Sequence, residues 1–163
     1  MRNLLNKKLK NEKGLTLIEL LAVIVILAII ALIAIPAIGS IVSNSKSKAI
    51  LSDATSIIAG AKTAITDGAC SPDKDKDDKE TGNVTCSKTQ LADFVENVKQ
   101  TDDTTYSVTK AKDGDYSITY SELANLNKKY ADKVFGAGKT STTATQKQIA
   151  KAMGNKPEEP ANP

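Results

Sequence analysis

The residue whose chemistry most needs an explanation is Glu19, an acid at the start of a long apolar run. It is the only charged residue between Lys13 and Lys46. A carboxylate costs about 2.5 to 3.5 kcal/mol near the centre of a bilayer, and less toward the interface, so an acid in such a segment indicates a function by default. The chemistry expected of Glu19 is ion pairing with a cation that neutralises it.

Catalytic chemistry has no comparable candidate. The chain contains no histidine, no G-x-S-x-G motif and no phosphate-binding glycine loop, and its other carboxylates stand in polar runs. We therefore expect no enzyme, no catalytic residue and no cofactor. The alternating acids of Asp73–Glu80 suggest a calcium loop, but an EF-hand beginning at Asp73 would need glycine at Asp78 and glutamate at Val84. A solvated surface loop without a metal is the prediction.

The two cysteines, Cys70 and Cys86, lie in the segment between Ala69 and Ser87, which reads as a loop. In an exported domain such a pair most simply forms a disulfide, here closing about 17 residues and contributing roughly 3 kcal/mol. Without histidine or a C-x-x-C spacing, two thiolates do not complete a zinc site.

The element that carries Glu19 is long enough to cross a membrane. Leu20–Ile35 is uninterruptedly apolar and the run continues through Pro36–Ile38. Roughly 20 apolar residues at 1.5 Å per residue cross a hydrocarbon core of about 30 Å. The segment Met1–Gly14 carries five basic residues against Glu12, which by the positive-inside rule keeps the N-terminus in the cytoplasm. The remainder of the chain then faces outward.

Two general kinds of segment compete with a more specific interpretation. A cleaved secretory signal peptide, cut at Ala37–Gly39, would have about 16 to 19 apolar residues where 7 to 15 are usual, and it would contain Glu19 and Pro36. An ordinary single-span anchor explains the length but not the acid at its head.

The residues around Glu19 resemble the class III signal of type IV pilins and related pseudopilins. A basic leader ends at Gly14, Thr16–Glu19 reads T-L-I-E, a long apolar helix follows, and Pro36 falls where many of these proteins carry a helix-breaking proline. The departure from the pattern is Leu15, where phenylalanine is usual.

The resemblance implies that a membrane aspartyl protease cuts between Gly14 and Leu15 and that the new amine of Leu15 is N-methylated. This amine would supply the missing cation for Glu19. In a packed filament the carboxylate of one subunit can meet the amine of its neighbour, and such a buried pair fixes register because any other stagger leaves a charge unpaired. Glu19 is the predicted register residue.

The function implied by the resemblance is that of a structural subunit of an extracellular type IV pilus, or fimbrium, in adhesion, twitching motility, biofilm formation or DNA uptake. The partners would be further copies of the chain in a helical filament, the prepilin peptidase and N-methyltransferase, and the assembly platform with its ATPase. The precursor would span the cytoplasmic membrane before assembly. Alternatives are a pseudopilin or minor pilin of a type II secretion or competence system, and a membrane-anchored surface binding protein that never polymerises.

Net charge gives no support to a nucleic-acid-binding surface. The leader holds five basic residues and one acid, so the mature chain has 17 basic and 18 acidic residues. No specific nucleic-acid partner is expected.

Beyond the apolar run, six residues form the stripe of an amphipathic helix: Ile50, Ala54, Ile57, Ile58, Ala61 and Ile65. They predict one helix from about Leu15 to about Thr66. Pro36 and Gly39 weaken its middle. That stretch is either a kink or, by analogy with assembled pili, a helix break that forms when subunits pack.

The rest of the chain predicts short elements. These are a helix from Lys88 to about Lys99, a hairpin on either side of Lys112–Asp115, a helix capped by Ser121 that ends before Gly136, and a weak helix over Ala144–Met153. The predicted fold class is α+β, a pilin lollipop in which the long helix packs on a small antiparallel sheet of two or three strands. The expected domains are a cleaved leader (1–14), a transmembrane and polymerisation helix (15–42), an extracellular globular domain (43–155) and a flexible tail (156–163).

Overall fold

The computed structural model describes residues 16–96, 98 and 104–154, and its longest element is the N-terminal helix. Helix α1 runs over Leu17–Thr66 and includes Pro36 in its interior. The predicted long helix is confirmed, apart from its first residue, Leu15, which lies outside the described residues. The described part of the chain divides into two compact units, one ending at Ile41 and the other beginning at Val42.

The second half of α1 contributes the helical side of the core. Four of the six predicted stripe residues are buried, namely Ala54, Ile57, Ile58 and Ala61, and the outer two, Ile50 and Ile65, are partly buried against the same cluster. Residues on both flanks of the stripe are also buried: Ser47, Leu51, Gly60 and Ala64. The helix is therefore buried over a wider face than the six residues alone predict.

A five-stranded antiparallel sheet packs with this helix. The strands follow the chain as a meander in the order β1-β2-β3-β4-β5. Their bounds are Pro72–Lys74 for β1, Glu80–Ser87 for β2, Tyr106–Lys110 for β3, Tyr116–Tyr120 for β4 and Thr143–Thr145 for β5. The fold is α+β, as the sequence predicts, with a larger sheet.

The register of the sheet places one apolar row on the core side. Cys86 pairs with Val108, Val108 with Ile118, and Ile118 with Ala144, and all four are at most 2% exposed. The opposite face is a ladder of small hydroxyl residues. Thr85 and Thr109 share a hydrogen bond of 3.0 Å, and Thr119 and Thr143 share one of 3.1 Å. One side of the sheet is thus packed and the other is polar, as is usual for antiparallel sheets.

The prediction of two or three strands is wrong, because the segment read as a loop contains two more. β1 and β2 lie inside Ala69–Ser87, and β5 lies in a Thr-rich segment directly before the last helix, for which no strand was predicted. Each of these strands has few apolar residues, so alternation along the chain does not identify it. Each strand is defined instead by its backbone hydrogen bonds to a neighbouring strand, and these bonds can join residues that are far apart in the sequence. The predicted hairpin is confirmed as β3 and β4, with Tyr106 opposite Tyr120.

The predicted helix from Lys88 is also wrong over its described part. Residues 88–94 form turns, with the amides of Leu91 and Phe94 bonded four and three residues back. Its predicted end, at Lys99, lies outside the described residues. The apolar spacing still identified core residues, because Leu91, Val95 and Val98 are buried. Half of the predicted capping box is present, since the backbone amide of Ser87 donates to Gln90 Oε1 at 2.9 Å.

The helix predicted to begin at Ser121 is divided in two. A 3₁₀ helix covers Ser121–Asn125, and helix α2 covers Lys128–Phe135 and ends at Gly136 as expected. The break follows from Asn127, which caps α2 through its side chain while bonding to α1.

Helix α3 spans Gln146–Met153 and begins with a capping box between Thr145 and Gln148. Its C-terminal cap, Gly154, is the last described residue of the chain. The predicted tail, 156–163, lies outside the described residues.

Candidate functional site

The head of α1 is built around a reciprocal hydrogen-bonded pair, Thr16 and Glu19. Glu19 Oε2 accepts a hydrogen bond from the Thr16 backbone amide and one from the Thr16 hydroxyl, both at 2.8 Å. In return the Glu19 amide donates to Thr16 Oγ1 at 3.3 Å. This is the pattern of a capping box, in which a hydroxyl residue and an acid three residues later satisfy backbone amides that a helix start leaves unpaired.

The capping box gives Glu19 a partner within its own chain, whereas the sequence predicted a cation as its partner. A threonine three residues before a glutamate, ahead of an apolar run, is the sequence signal that could have found it. Both bonds go to Oε2, and Oε1 accepts no hydrogen bond from any residue that the structure describes. The carboxylate therefore has one oxygen that fixes the helix start and one that is available to another group.

The first half of α1 presents apolar side chains all around its axis. In the single chain the exposed fractions of its large residues run from 46% at Val42 to 83% at Leu17. Within the described residues, α1 is the one helix that is long and apolar enough to cross a membrane, and none of its most apolar window is buried. A surface of this kind is stable only against lipid or against other protein.

The middle of this apolar half has weakened backbone bonding. Pro36 has no N–H to donate, so the carbonyl of Leu32 lacks its usual helical partner. Ser40 Oγ donates to the carbonyl of Ala37 at 2.8 Å, a local bond that often accompanies bending. A side chain added at Gly39 would meet nothing within 4 Å. The helix is continuous here in the single chain, so the proposed helix break concerns only packed subunits.

One family model matches this end of the chain. The prokaryotic N-terminal methylation motif covers residues 9–35, which include Gly14, Leu15, Glu19 and most of the apolar run. The chain carries a type IV pilin-like class III signal. The motif implies processing by a prepilin peptidase and handling by pilus assembly machinery in general, and it supports a type IV pilin-like or pseudopilin protein. No curated protein and no solved structure matches the chain.

The predicted processing site, Gly14 and Leu15, lies outside the described residues. The structure describes the class III signal from Thr16 onward. The apolar helix and its acid are consistent with a membrane-anchored precursor, and proteins that carry this methylation motif are typically structural subunits.

The two cysteines are joined as predicted. Cys70 and Cys86 form a disulfide whose Cα atoms are 5.3 Å apart, with a sequence separation of 16. The bond ties the segment that follows α1 to the end of β2, and Gln90 Nε2 adds a hydrogen bond to the carbonyl of Ala69. The disulfide thus holds the chain where it leaves the helix and enters the sheet.

The acidic segment Asp73–Glu80 uses its carboxylates for local structure. Asp73 accepts from the amide and the hydroxyl of Thr85, and Asp75 accepts from the amides of Asp77 and Lys79. Among the residues that the structure describes, no group of three His, Cys, Asp or Glu side chains is placed to hold a metal ion.

Two buried tyrosines form the most unusual electrostatic feature of the globular unit. The rings of Tyr106 and Tyr120 meet edge to face with centroids 6.5 Å apart, and neither hydroxyl has a hydrogen-bond partner among the residues that the structure describes. Burial raises the pKa of Tyr120 to about 12, with smaller contributions from Asp53 and Glu122. Burial also raises the pKa of Tyr106. Both phenols stay neutral, so they act as core residues.

Proposed function

We propose that this protein is a structural subunit of an extracellular type IV pilus, made as a precursor that spans the cytoplasmic membrane. The observation that carries the proposal is the coincidence of two features at one end of the chain. The methylation motif covers residues 9–35, and the apolar half of α1 that follows its acid is exposed on all sides. Lipid covers this surface before assembly, and neighbouring copies in a helical filament cover it afterwards.

Processing is proposed to occur between Gly14 and Leu15, followed by N-methylation of Leu15. The prepilin peptidase would perform both steps, and the assembly platform and its ATPase would then extract the subunit. The capping box is compatible with this cut. The amide that binds Glu19 belongs to Thr16, one residue beyond the new terminus, so cleavage removes none of its bonds.

Glu19 is proposed to fix subunit register through its charge. Oε2 accepts its hydrogen bonds from Thr16, whereas Oε1 can accept a hydrogen bond from the Leu15 amine of a neighbouring copy without breaking the capping box. Any other stagger would leave a carboxylate and an amine unpaired in an apolar environment, which is costly. The capping role and the pairing role therefore coexist on one side chain.

Two substitutions separate these roles. Glu19→Gln keeps an oxygen that can cap, since glutamine serves at this position of a capping box, but it removes the charge. Glu19→Ala removes both. We expect both variants to lose sheared surface fibres, whereas Glu80→Gln, an exposed acid of the globular unit, leaves fibre yield and length unchanged. Normal fibres from Glu19→Gln would show that capping alone explains the residue, and the register role would be wrong.

Mass spectrometry of the surface protein tests the processing step. A chain beginning at methylated Leu15 is expected, whereas a start at Ser40 would indicate conventional secretion and a start at Met1 an unprocessed anchor. Abundance in sheared fibres then distinguishes a major pilin from a pseudopilin or minor pilin. The proposed helix break at Pro36 and Gly39 is tested by a filament density map, in which an unbroken helix from Ile24 to Ser40 would exclude it.

A further inference from the structure

The part of the globular unit nearest the apolar run is basic. After Glu19 the next acid along the chain is Asp53, and the only charges between them are Lys46 and Lys48. Both lysine side chains are exposed on α1. At 1.5 Å per residue they lie about 6 and 9 Å along the helix beyond Val42, where the apolar run ends.

A second pair of lysines is brought to the same place by Asn127. Its side-chain amide donates to Ser43 Oγ at 3.2 Å and to Asn44 Oδ1 at 3.0 Å, and its backbone amide donates to Ser47 Oγ at 3.0 Å. The next two residues along the chain are Lys128 and Lys129, at the start of α2. Residues about 80 positions apart in sequence therefore meet at one level of α1. Lys46 and Lys48 are two residues apart, so they flank the helix on opposite sides at this level and form a belt with the start of α2. The four lysines of the belt are called the juxtamembrane cluster: Lys46, Lys48, Lys128 and Lys129.

Most of this charge has no acidic partner among residues 16–96, 98 and 104–154. Lys128 pairs with Asp132 at 2.7 Å. Within the described ranges, neither Lys46, Lys48 nor Lys129 lies within 4 Å of an acidic oxygen. Lys129 is instead directed toward the ring of Tyr130, with its Nζ 6.0 Å from the centroid. Three exposed cations thus remain for an external anion.

The depth of the cluster indicates which anion it meets. The headgroup region of a bilayer extends about 5 to 7 Å beyond the hydrocarbon core on each side. A helix that leaves the core at Val42 places Lys46 in that layer and the backbone of Lys48 about 2 Å beyond it, within reach of the headgroups for a long lysine side chain. The orientation expected from the basic leader puts this layer on the outward side of the membrane. Where the lipids of that side are anionic, a basic residue next to the span is attracted to them, by roughly fivefold in binding for each residue at an anionic surface.

We propose that the juxtamembrane cluster binds the phosphate groups of anionic lipids and so holds the globular unit against the bilayer before assembly. The inference rests on the proposed function, because it requires the apolar half of α1 to be in a membrane. Assembly then has to break these contacts as the subunit leaves the bilayer. The cluster would be a positioning surface for the waiting subunit, separate from the contacts of the filament.

The test uses the full-length precursor in a neutral detergent, titrated with phosphatidylglycerol or phosphatidylcholine and followed by native mass spectrometry. The triple variant Lys46→Gln/Lys48→Gln/Lys129→Gln removes the unpaired cations and leaves the ion pair of Lys128 intact. Its matched control, Lys76→Gln/Lys79→Gln/Lys139→Gln, removes three exposed lysines elsewhere and changes the net charge equally. Tyrosine fluorescence verifies that both variants stay folded.

We expect the wild-type chain to prefer phosphatidylglycerol, the triple variant to lose at least tenfold in that affinity, and the control to change less than twofold. Equal binding of the two lipids, or an equal loss in the control, would overturn the proposal. Two further arms address other anions. If millimolar inorganic phosphate displaces the lipid, the cluster is a free-anion site, and if a short oligonucleotide binds the cluster more tightly than the lipid, it is a nucleic-acid surface.

This result is independent of the fibre experiments. Methylated Leu15 and normal fibres together with no lipid preference would refute only the lipid contact. A mature chain that begins elsewhere would refute the pilus function, whatever the lipid titration shows.

Discussion

Gly60 provides the sharpest test of how the globular unit packs. It is buried near the C-terminal end of α1, where Phe94 and Val95 of the turn segment approach the helix. A Cβ atom added at Gly60 would lie 2.5 Å from the carbonyl oxygen of Phe94 and 2.6 Å from Val95 Cγ2. Neither distance is tolerable, and the Phe94 atom belongs to the backbone. The substitution Gly60→Ala therefore forces the helix and the turn segment apart.

Two opposing effects determine the size of the change. Alanine in place of glycine favours a helix by about 1 kcal/mol. Overpacking a tight core costs typically 1 to 3 kcal/mol, and occasionally more. Because two contacts fall well inside van der Waals distance, we expect the steric cost to exceed the helix gain. The net loss in the free energy of unfolding is then about 1 to 2 kcal/mol, or a urea midpoint about 1 M lower.

Urea unfolding of the detergent-solubilised full chain measures this change. All four tyrosines, at positions 106, 116, 120 and 130, belong to the globular unit, so tyrosine fluorescence reports that unit and not the apolar half of α1. Ser56→Ala is the matched control, because it adds a helix-favouring alanine at an exposed position of the same helix. If Gly60→Ala raised the midpoint as the control does, the close approach at Phe94 would be wrong.

Three further changes test other contacts by the same unfolding measurement. Tyr120→Phe removes a buried hydroxyl that has no hydrogen-bond partner in the described part of the chain, so we expect a gain of about 1 kcal/mol in the free energy of unfolding. The pKa of Tyr120 is about 12 in the folded protein and 10.0 ordinarily, so its hydroxyl loses the proton at lower pH in the unfolded chain than in the folded one. The stability of the wild-type chain should therefore fall as pH rises from about 10 through 12, and Tyr120→Phe should lessen this fall. Reducing the bond between Cys70 and Cys86 should cost roughly 3 kcal/mol, and dithiothreitol should have no effect on the double serine variant. Asn127→Ala should lower the free energy of unfolding by about 1 to 2 kcal/mol. Asn127→Asp keeps the side-chain oxygen that caps α2 but loses the side-chain N–H donors to α1, so it should lower the free energy of unfolding by less. Equal losses in the two variants would contradict the capping role.

The features that the sequence predicted correctly are those with local signals. The stripe Ile50–Ile65 repeats at helical spacing, the hairpin has alternating residues around Asp113 and Gly114, and the two cysteines leave one simple pairing. In each case the residues that interact are near one another in the chain or are the only ones of their kind. Local periodicity is then enough to place them.

The features that the sequence did not reveal depend on residues that are far apart. Strand β5 has a single apolar residue, Ala144, and becomes a strand because β4 offers it an edge with Ile118 as the partner. In the sequence Asn127 resembles any polar loop residue, and only the fold brings Ser43 and Ser47 of α1 close enough to accept its hydrogen bonds. An isolated glycine within a helical pattern was the available signal for the close contact at Gly60.

Glu19 shows how far a single chain can explain an assembly residue. Within the subunit its carboxylate is accounted for by the capping box with Thr16, and that account alone would equally allow glutamine at this position. Glutamine would cap without bringing a charge into an apolar segment, so a capping requirement does not explain the choice of the more costly acid. The helix dipole stabilises an acid in the first turn by only about 0.3 to 1 kcal/mol, which is less than the cost of a charge near the bilayer centre. The rest of that cost needs a reason from outside the chain, and the proposed pairing with a neighbouring amine would supply one. The different outcomes expected for capping and for charge pairing in Glu19→Gln therefore decide whether the charge of Glu19 serves assembly in this protein.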